Sequence, residues 1–387
     1  MYKKFPVYVS ACLGMTFFGI AFIVMGSVLP SVTVKYSLDT VGASLLVTFL
    51  PIGVLLGSLI FGPIVDRFGY KNLLMISAFI TASGLGGLSY FDQLNALRFC
   101  IFLIGFGGGI LNGETNSLVA DIYDDKERGA KLSLLGVFYG VGALGVPLLL
   151  GMLSKLYSYE IILRWTGIFM LVCIIYFAFV RFPKPKHAQG FPIKKAISLI
   201  KEPLLLLLSL ILFFQSGLEG LLNNWTTSYL TANTQIPHSE IVFTLTFLVL
   251  GITLARLALA FMLQSVKPYT VLLTGMIITL VGSVLLFYSQ SFPMASLSLF
   301  IIGVGMAGVF PIVMGFIGNF YKETTGTAIS IALFIALCGN SLLNYAMGYI
   351  SKAFEMKIFP MLLILILALQ AIVLVCEINS AKKRKNY

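Results

Sequence analysis

The stretch Gly57-Ser-Leu-Ile-Phe-Gly62-Pro-Ile-Val-Asp66-Arg67-Phe-Gly69-Tyr-Lys71 decides how the whole chain is read. A long apolar run ends in a tight, charged, glycine-bearing turn, and a second apolar run begins at Leu73. Between two membrane-spanning helices such a turn must reverse the chain in very few residues. Gly69 permits backbone angles that a side chain would forbid. Arg67 and Lys71 stand where anionic lipid headgroups would hold them. Asp66 stands near a helix end and is placed to accept hydrogen bonds from the free N–H groups at a neighbouring helix start.

Composition supports a membrane setting. Of 387 residues, 58% are hydrophobic and 11% are charged, against roughly a quarter charged in an ordinary soluble chain. The missing charge means that most of the surface meets lipid. A net charge of +11 raises the question of nucleic acid. The basic residues punctuate apolar runs rather than cover a soluble face, so membrane lipids are the expected partner and nucleic acid is not. Cys12, Cys100, Cys173, Cys338 and Cys376 stand singly, and His187 and His238 lie in separate loops. Neither set has metal-ligand spacing, and no cofactor is expected. Nucleophile, base and orienting group do not occur together, and there is no phosphate loop. The chain therefore reads as neither an enzyme nor an ATP-driven pump, and transport would have to use a gradient.

Working outward from the quoted turn, apolar runs long enough to cross a bilayer fall near 7–30, 41–64, 73–90, 96–120, 131–153 and 162–181. A second set falls near 204–230, 241–263, 269–288, 294–320, 325–350 and 358–378. The fold class is thus an all-α membrane protein of twelve transmembrane helices in two six-helix, pseudo-symmetric halves. The halves are 1–181 and 204–387, the second with a basic tail, joined by a cytoplasmic linker over 182–203. The linker carries Pro183, Pro185, Gly190 and Pro192, and its segment from Ile193 to Ile200 predicts a short amphipathic helix on the membrane surface. A repeat supports the halves. Gly53, Gly105, Gly107 and Tyr123 recur 198 residues later at Gly251, Gly303, Gly305 and Tyr321. Gly129, Gly151, Ser154 and Lys155 recur 197 residues later at Gly326, Gly348, Ser351 and Lys352.

The quoted turn, with its glycines, its Asp66-Arg67 pair and Lys71, resembles the signature loop between the second and third helices of the major facilitator superfamily. Glu127-Arg128-Gly129-Ala130, followed by Gly136, Gly140, Gly142, Gly145, Pro147 and Gly151, resembles that superfamily's fourth loop and fifth helix. Small residues there let helices approach closely. Gly142-Ala-Leu-Gly145-Val-Pro147 is near a pattern associated with antiporters but lacks its Gly-Pro adjacency, so it leaves the direction of transport open. The resemblance implies two halves with a solute site near the midplane. It also implies a gating role for Gly62, Asp66, Arg67, Gly69 and Lys71, with Asp66 capping the start of the eleventh span near Thr324 to Thr327.

Ionisable groups inside spans are expensive and mark function by default. Glu114 lies in the fourth span, Glu219 in the seventh and Arg256 in the eighth. A buried carboxylate is pushed toward the range where it takes and releases a proton, so Glu219 and Glu114 are the candidate proton carriers. Each has an alternative as a hydrogen-bonded packing residue. Arg256 either anchors near the interface, among the gating residues, or pairs with a carboxylate that the sequence does not name. Asn112 and Asn116, and likewise Asn340 and Asn344, are four apart and share a helix face. Asn223 and Asn224 adjoin Trp225. Amides that donate and accept, beside a flat indole, suit a hydroxyl-rich small solute, so these seven residues are candidate substrate contacts. Paired asparagines also serve to bond one helix to another.

Glu219, Trp225 and Tyr229 resemble the seventh-helix pattern of sugar transporters around the fucose–proton symporter family. The glycine-rich run from Gly105 to Asn112 and Asn116 resembles their fourth helix. That family places an acid four residues before the asparagine, where this chain has Asn112. Glu114 lies two positions on, about 200° around the helix. Either the acid has moved, Glu219 has taken its role, or the chain is not proton-coupled. In the second half Phe310, Ile312 and Met314 occupy the matching places, so recognition of the solute is expected to be asymmetric. The reading reached from the sequence is a secondary transporter importing a sugar or similar polar solute with protons. The alternative is a proton-antiport exporter of drugs or metabolites. Its partners are then a small-molecule solute, protons and lipids, and it is expected to work as a monomer.

The loops predict orientation, since Lys and Arg collect on the cytoplasmic side. With the amino terminus inside, 19 of the 26 basic residues fall in inside segments and six outside. Short loops point to a bacterial inner membrane. Reporter fusions after Lys385 and within residues 184–195 should both read cytoplasmic, and an external signal from either would overturn the orientation.

Overall fold

The computed structural model describes residues 2–153, 156–186 and 198–385. Among them are α-helices and one 3-10 turn, with no strand. The reason is the solvent: in hydrocarbon each backbone N–H and C=O must find its partner inside the segment itself. The first helices are α1 (Lys4–Lys35), α2 (Thr40–Phe68), α3 (Tyr70–Tyr90), α4 (Leu94–Ile122), α5 (Asp125–Leu153) and α6 (Tyr159–Phe179). Then come α7 (Pro203–Asn233), α8 (His238–Met262), α9 (Pro268–Phe287), α10 (Phe292–Met306), α11 (Val309–Phe320), α12 (Thr325–Phe354) and α13 (Phe359–Lys385). They provide twelve stretches long and apolar enough to span a membrane, α10 and α11 together making the tenth.

Most helices extend past the apolar runs that predict them, because polar ends continue the helix beyond the hydrocarbon. The tenth span, expected as one helix over 294–320, is instead broken at Ala307 and Gly308. Pro311 has no N–H to offer the Ala307 carbonyl, so the ladder loses a bond there. The surface helix expected over 193–200 lies outside the described residues except for Ser198 to Ile200, as do His187, Ser154 and Lys155.

The chain forms two compact units. The first comprises residues 1–123, 135–196 and 321–330, and the second residues 124–134, 197–320 and 331–387. In the first unit α4 packs along α2 with backbones nearly touching. A methyl group added at Gly53 would lie 2.4 Å from the Phe102 carbonyl oxygen, and one at Gly105 would lie 2.2 Å from that of Leu50. In the second unit the same contacts recur between α8 and α10. A methyl at Gly251 would meet the Phe300 oxygen at 2.3 Å, and one at Gly303 the Leu248 oxygen at 2.3 Å. Every member of the second set is 198 residues after its counterpart. The pattern continues at the neighbouring helix, where Gly107 abuts Thr81 Oγ1 and Gly305 abuts Thr279 Oγ1. The sequence repeat is therefore a repeat of close helix contacts, where van der Waals packing replaces the hydrophobic drive that lipid removes. Large side chains such as Trp165, Phe179 and Leu148 stay exposed, as apolar surface facing lipid requires.

These contacts set a contrast in stability. Gly53→Leu and Gly251→Leu should each lower the thermal midpoint in detergent, since overpacking costs about 1–3 kcal/mol. Gly26→Ala and Gly145→Ala, where a methyl meets nothing within 4 Å, should leave it unchanged or slightly raised. Equal losses at all four positions would refute the packing account.

Candidate functional site

In the second unit α7 carries Gln215, Glu219 and Asn223 at four-residue intervals, which puts them on one face. Gln215 Nε2 donates to Glu219 Oε1 at 3.2 Å and to the Met306 carbonyl at 3.2 Å. Met306 is the last residue of α10, so the side chain bonds the backbone at the break in the tenth span. Gln215 Oε1 in turn accepts from Gln370 Nε2 on α13 at 3.2 Å, and Gln370 also donates to the Ile211 carbonyl. Glu219 is half-buried. The positive charge of Arg256, on α8, acts on its carboxylate from a neighbouring helix. The Arg256 carbonyl also accepts from Ser133 Oγ at 2.7 Å.

One turn beyond Glu219 the amides divide into two kinds. Asn344 Oδ1 accepts from Asn224 Nδ2 at 2.9 Å and from Trp225 Nε1 at 3.0 Å. Asn344 Nδ2 donates to the Asn340 carbonyl, and Asn340 Nδ2 to the Ser216 carbonyl at 3.0 Å. Asn340 and Asn344 thus fasten α12 to α7, and Gly220 leaves the room for them, since a methyl there would lie 2.6 Å from Asn340 Oδ1. Asn223 and Asn224 are exposed, and Asn223 Nδ2 bonds backward along α7, to the Glu219 carbonyl at 2.8 Å.

The first unit treats its acid differently. Glu114 is 0% exposed, and among the described residues neither carboxylate oxygen has a hydrogen-bond donor. Asn112 and Asn116, on other faces of α4, bond to each other: Asn116 Nδ2 donates to the Asn112 carbonyl at 2.8 Å and to its Oδ1 at 3.2 Å. At one end of α1, Lys35 Nζ reaches Asp92 Oδ1 at 3.0 Å and Glu160 Oε1 at 3.2 Å. The hydrogen bond from Lys35 holds the Asp92 carboxyl below the usual range. A cavity of about 590 Å³ beside Lys35 is lined partly by Ser27, Ser31, Tyr157 and Glu160.

The quoted turn lies wholly in the first unit. Asp66 Oδ1 accepts from the Gly326 N–H at 3.1 Å, and Oδ2 accepts from the Thr327 N–H at 2.8 Å and Thr327 Oγ1 at 2.7 Å. These are free donors in the first turn of α12, and a carboxylate there also meets the positive end of the helix dipole. Gly62 makes the approach possible: a methyl on it would sit 2.4 Å from the Gly326 carbonyl oxygen. Ser330 Oγ adds a bond to the Ser58 carbonyl at 2.8 Å. Gly69 adopts φ +80, an angle that favours glycine, and both ends α2 and begins α3. Lys71 donates to the Ala178 carbonyl at 2.6 Å, in the last turn of α6 where a cation is favoured. Arg67 is exposed and lies over the Phe68 ring.

The profile described as Major Facilitator Superfamily matches residues 11–229 and again 208–386. The chain belongs to this superfamily. It is accordingly an integral, multi-pass membrane transporter and not an enzyme. Among relatives of this superfamily member is the uncharacterized MFS-type transporter YfkL of Bacillus subtilis (strain 168), 26% identical, with 87% of each chain covered. The glucose/mannose transporter GlcP of the same organism is 23% identical, covering 87% of this chain and 86% of that one. The multidrug resistance protein MdtH of Salmonella arizonae is 29% identical over 31% of this chain and 29% of its own. The structure of FucP in the outward conformation shares the fold at TM-score 0.78 and 15% identity, over 94% of this chain and 97% of that one.

Two residues of the site carried a signal that sequence reasoning did not use. Gln215 sits one turn before Glu219, and Gln370 is a lone amide in a long apolar run, where a polar group calls for a partner. The caps on α12 generate a direct expectation. Asp66→Asn keeps the shape and loses the charge, and charge-assisted bonds are worth about 1.5–3 kcal/mol. Hydrogen exchange at the Gly326 and Thr327 amides should accelerate by at least tenfold. Unchanged exchange there would show that Asp66 does not hold the helix start.

Proposed function

We propose that this superfamily member is a proton-coupled importer of a sugar or similar polar small molecule, working by alternating access, with Glu219 as the proton carrier. The observation that carries the proposal is the setting of Glu219: half-buried, bonded by Gln215 and facing the charge of Arg256. A half-buried carboxylate in such a place is sensitive to its neighbours. Deprotonated, it is balanced by Arg256. Protonated, it no longer attracts that arginine, so the proton and the arrangement of the site depend on one another. The exposed amides of Asn223 and Asn224, one turn away beside Trp225, are the substrate contacts that suit hydroxyl groups. Likeness to GlcP over most of the chain supports a sugar among polar solutes. Glu114 takes second place because it is sealed and without a donor. Asn112 and Asn116 stay as candidate contacts in the first unit, while Asn340 and Asn344 act by holding Trp225 and Asn224 in place. Asp66, with Gly62, Arg67, Gly69 and Lys71, forms the gating element. In this reading the halves are 1–181 and 204–387 with 182–203 as linker, both termini are cytoplasmic, and the membrane is a bacterial inner membrane.

Reconstituted into proteoliposomes with radiolabelled sugars, the protein should accumulate solute when an inward proton gradient is imposed. Glu219→Gln mimics the protonated state and should abolish uphill accumulation while keeping counterflow exchange. Glu114→Gln should retain accumulation. If Glu219→Gln still concentrates solute, Glu219 is not the carrier. If solute leaves the vesicles against its gradient instead, the exporter reading replaces this one.

A further inference from the structure

Pro185 and Lys186, in the first part of the linker, are both docked within the first unit. The Pro185 ring lies on the turn at Gly69, its Cγ 3.2 Å from where a methyl on that glycine would stand. Lys186 Nζ donates to Asp121 Oδ1 at 2.7 Å, to Thr325 Oγ1 at 2.9 Å and to the Lys322 carbonyl. Its side chain is 24% exposed and that of Asp121 11% exposed. Asp121, at the end of α4, also accepts from the Tyr70 hydroxyl, which is bonded to Ser117 Oγ at 2.9 Å. Thr325 Oγ1 passes the contact on, donating to the Tyr321 carbonyl at 3.0 Å. Lys186 therefore touches three things at once: an acid on α4, the turn that follows α11, and the first residue of α12. The next two residues of α12 are those that Asp66 caps. Asp66 feels the charges of both Lys186 and Asp121, so one ammonium serves two neighbouring carboxylates.

We propose that Lys186 is a latch: a positioning residue by which the linker docks on the turn before α12 and holds the helix start against Asp66. Two carboxylates this close repel one another when charged, and the ammonium offsets that repulsion. It also satisfies a carbonyl that no longer has a helical partner. Docking of the linker and capture of α12 are then two readings of one equilibrium, and each strengthens the other by the same factor. The linker is thereby a working part of the transport cycle instead of a passive tether. This holds whatever the solute or the coupling ion is.

The test is hydrogen exchange on the full-length protein in detergent, read at residues 321–330. Lys186→Gln keeps the length and loses the charge. It should accelerate exchange at the Gly326 and Thr327 amides by about tenfold, within the range of coupling between residues of one network, while α3 and α4 keep their protection. Combined with Asp66→Asn, it should add nothing to the effect of Asp66→Asn alone. Unchanged exchange at residues 321–330 would overturn the proposal. So would a uniform rise across α3 and α4, which would mean general loosening, or additive effects in the double variant. Should Lys186→Gln not yield folded protein, Asp121→Asn removes the same ion pair from the other side and is read by the same outcomes.

Discussion

In hydrocarbon a backbone polar group has no water to fall back on, and the rest of this structure depends on that constraint. It makes every span a helix, because only a helix bonds its own N–H and C=O groups internally. It also removes the usual reason for helices to associate, since lipid is as apolar as leucine. What remains is contact, and contact improves as backbones approach. The glycines at 53, 105, 251 and 303 allow carbonyl oxygens of the next helix to sit where a methyl group would be. Their recurrence at one interval gives both units the same internal joint.

Polar side chains gather where that constraint is not met by the helix itself. The break at Ala307 and Gly308 leaves the Met306 carbonyl available, and Gln215 takes it while holding Glu219. The start of α12 offers free N–H groups, and Asp66 takes those. The end of α11 exposes the Lys322 carbonyl, and Lys186 takes that. These three side chains are thus each bonded to a defect in a backbone ladder. Such bonds can be exchanged without dismantling a helix, which a moving transporter needs.

Charge follows the same logic with higher stakes. A buried carboxylate without compensation is costly, and the chain answers in three ways. Asp66 has a helix start, Glu219 has Arg256 and an amide, and Glu114 has no donor among the described residues. The three settings differ in how readily a proton or a conformational change would alter them, and so the acids are not interchangeable although a hydropathy reading treats them alike.

The sequence by itself determined the number of spans, the all-helical class, the glycine repeat and the tight turn at Asp66 and Gly69. These are signals of local composition and spacing: a long apolar run must be a spanning helix, and a turn of one residue needs glycine. The α12 start as a partner for Asp66 also came from the sequence, through family resemblance. Only the tertiary structure decided the rest. It broke the tenth span, because a single proline inside a strongly apolar run leaves hydropathy almost unchanged while removing a backbone donor. It placed the charge of Arg256 near Glu219, gave Lys71 a carbonyl on α6, and set Asn344 to serve Trp225. It brought Lys186 to Thr325 and Asp121 and sealed Glu114 completely while leaving Glu219 half-buried. Each of these depends on which helix faces meet in space, and residues far apart in the chain carry no mark of their future neighbours.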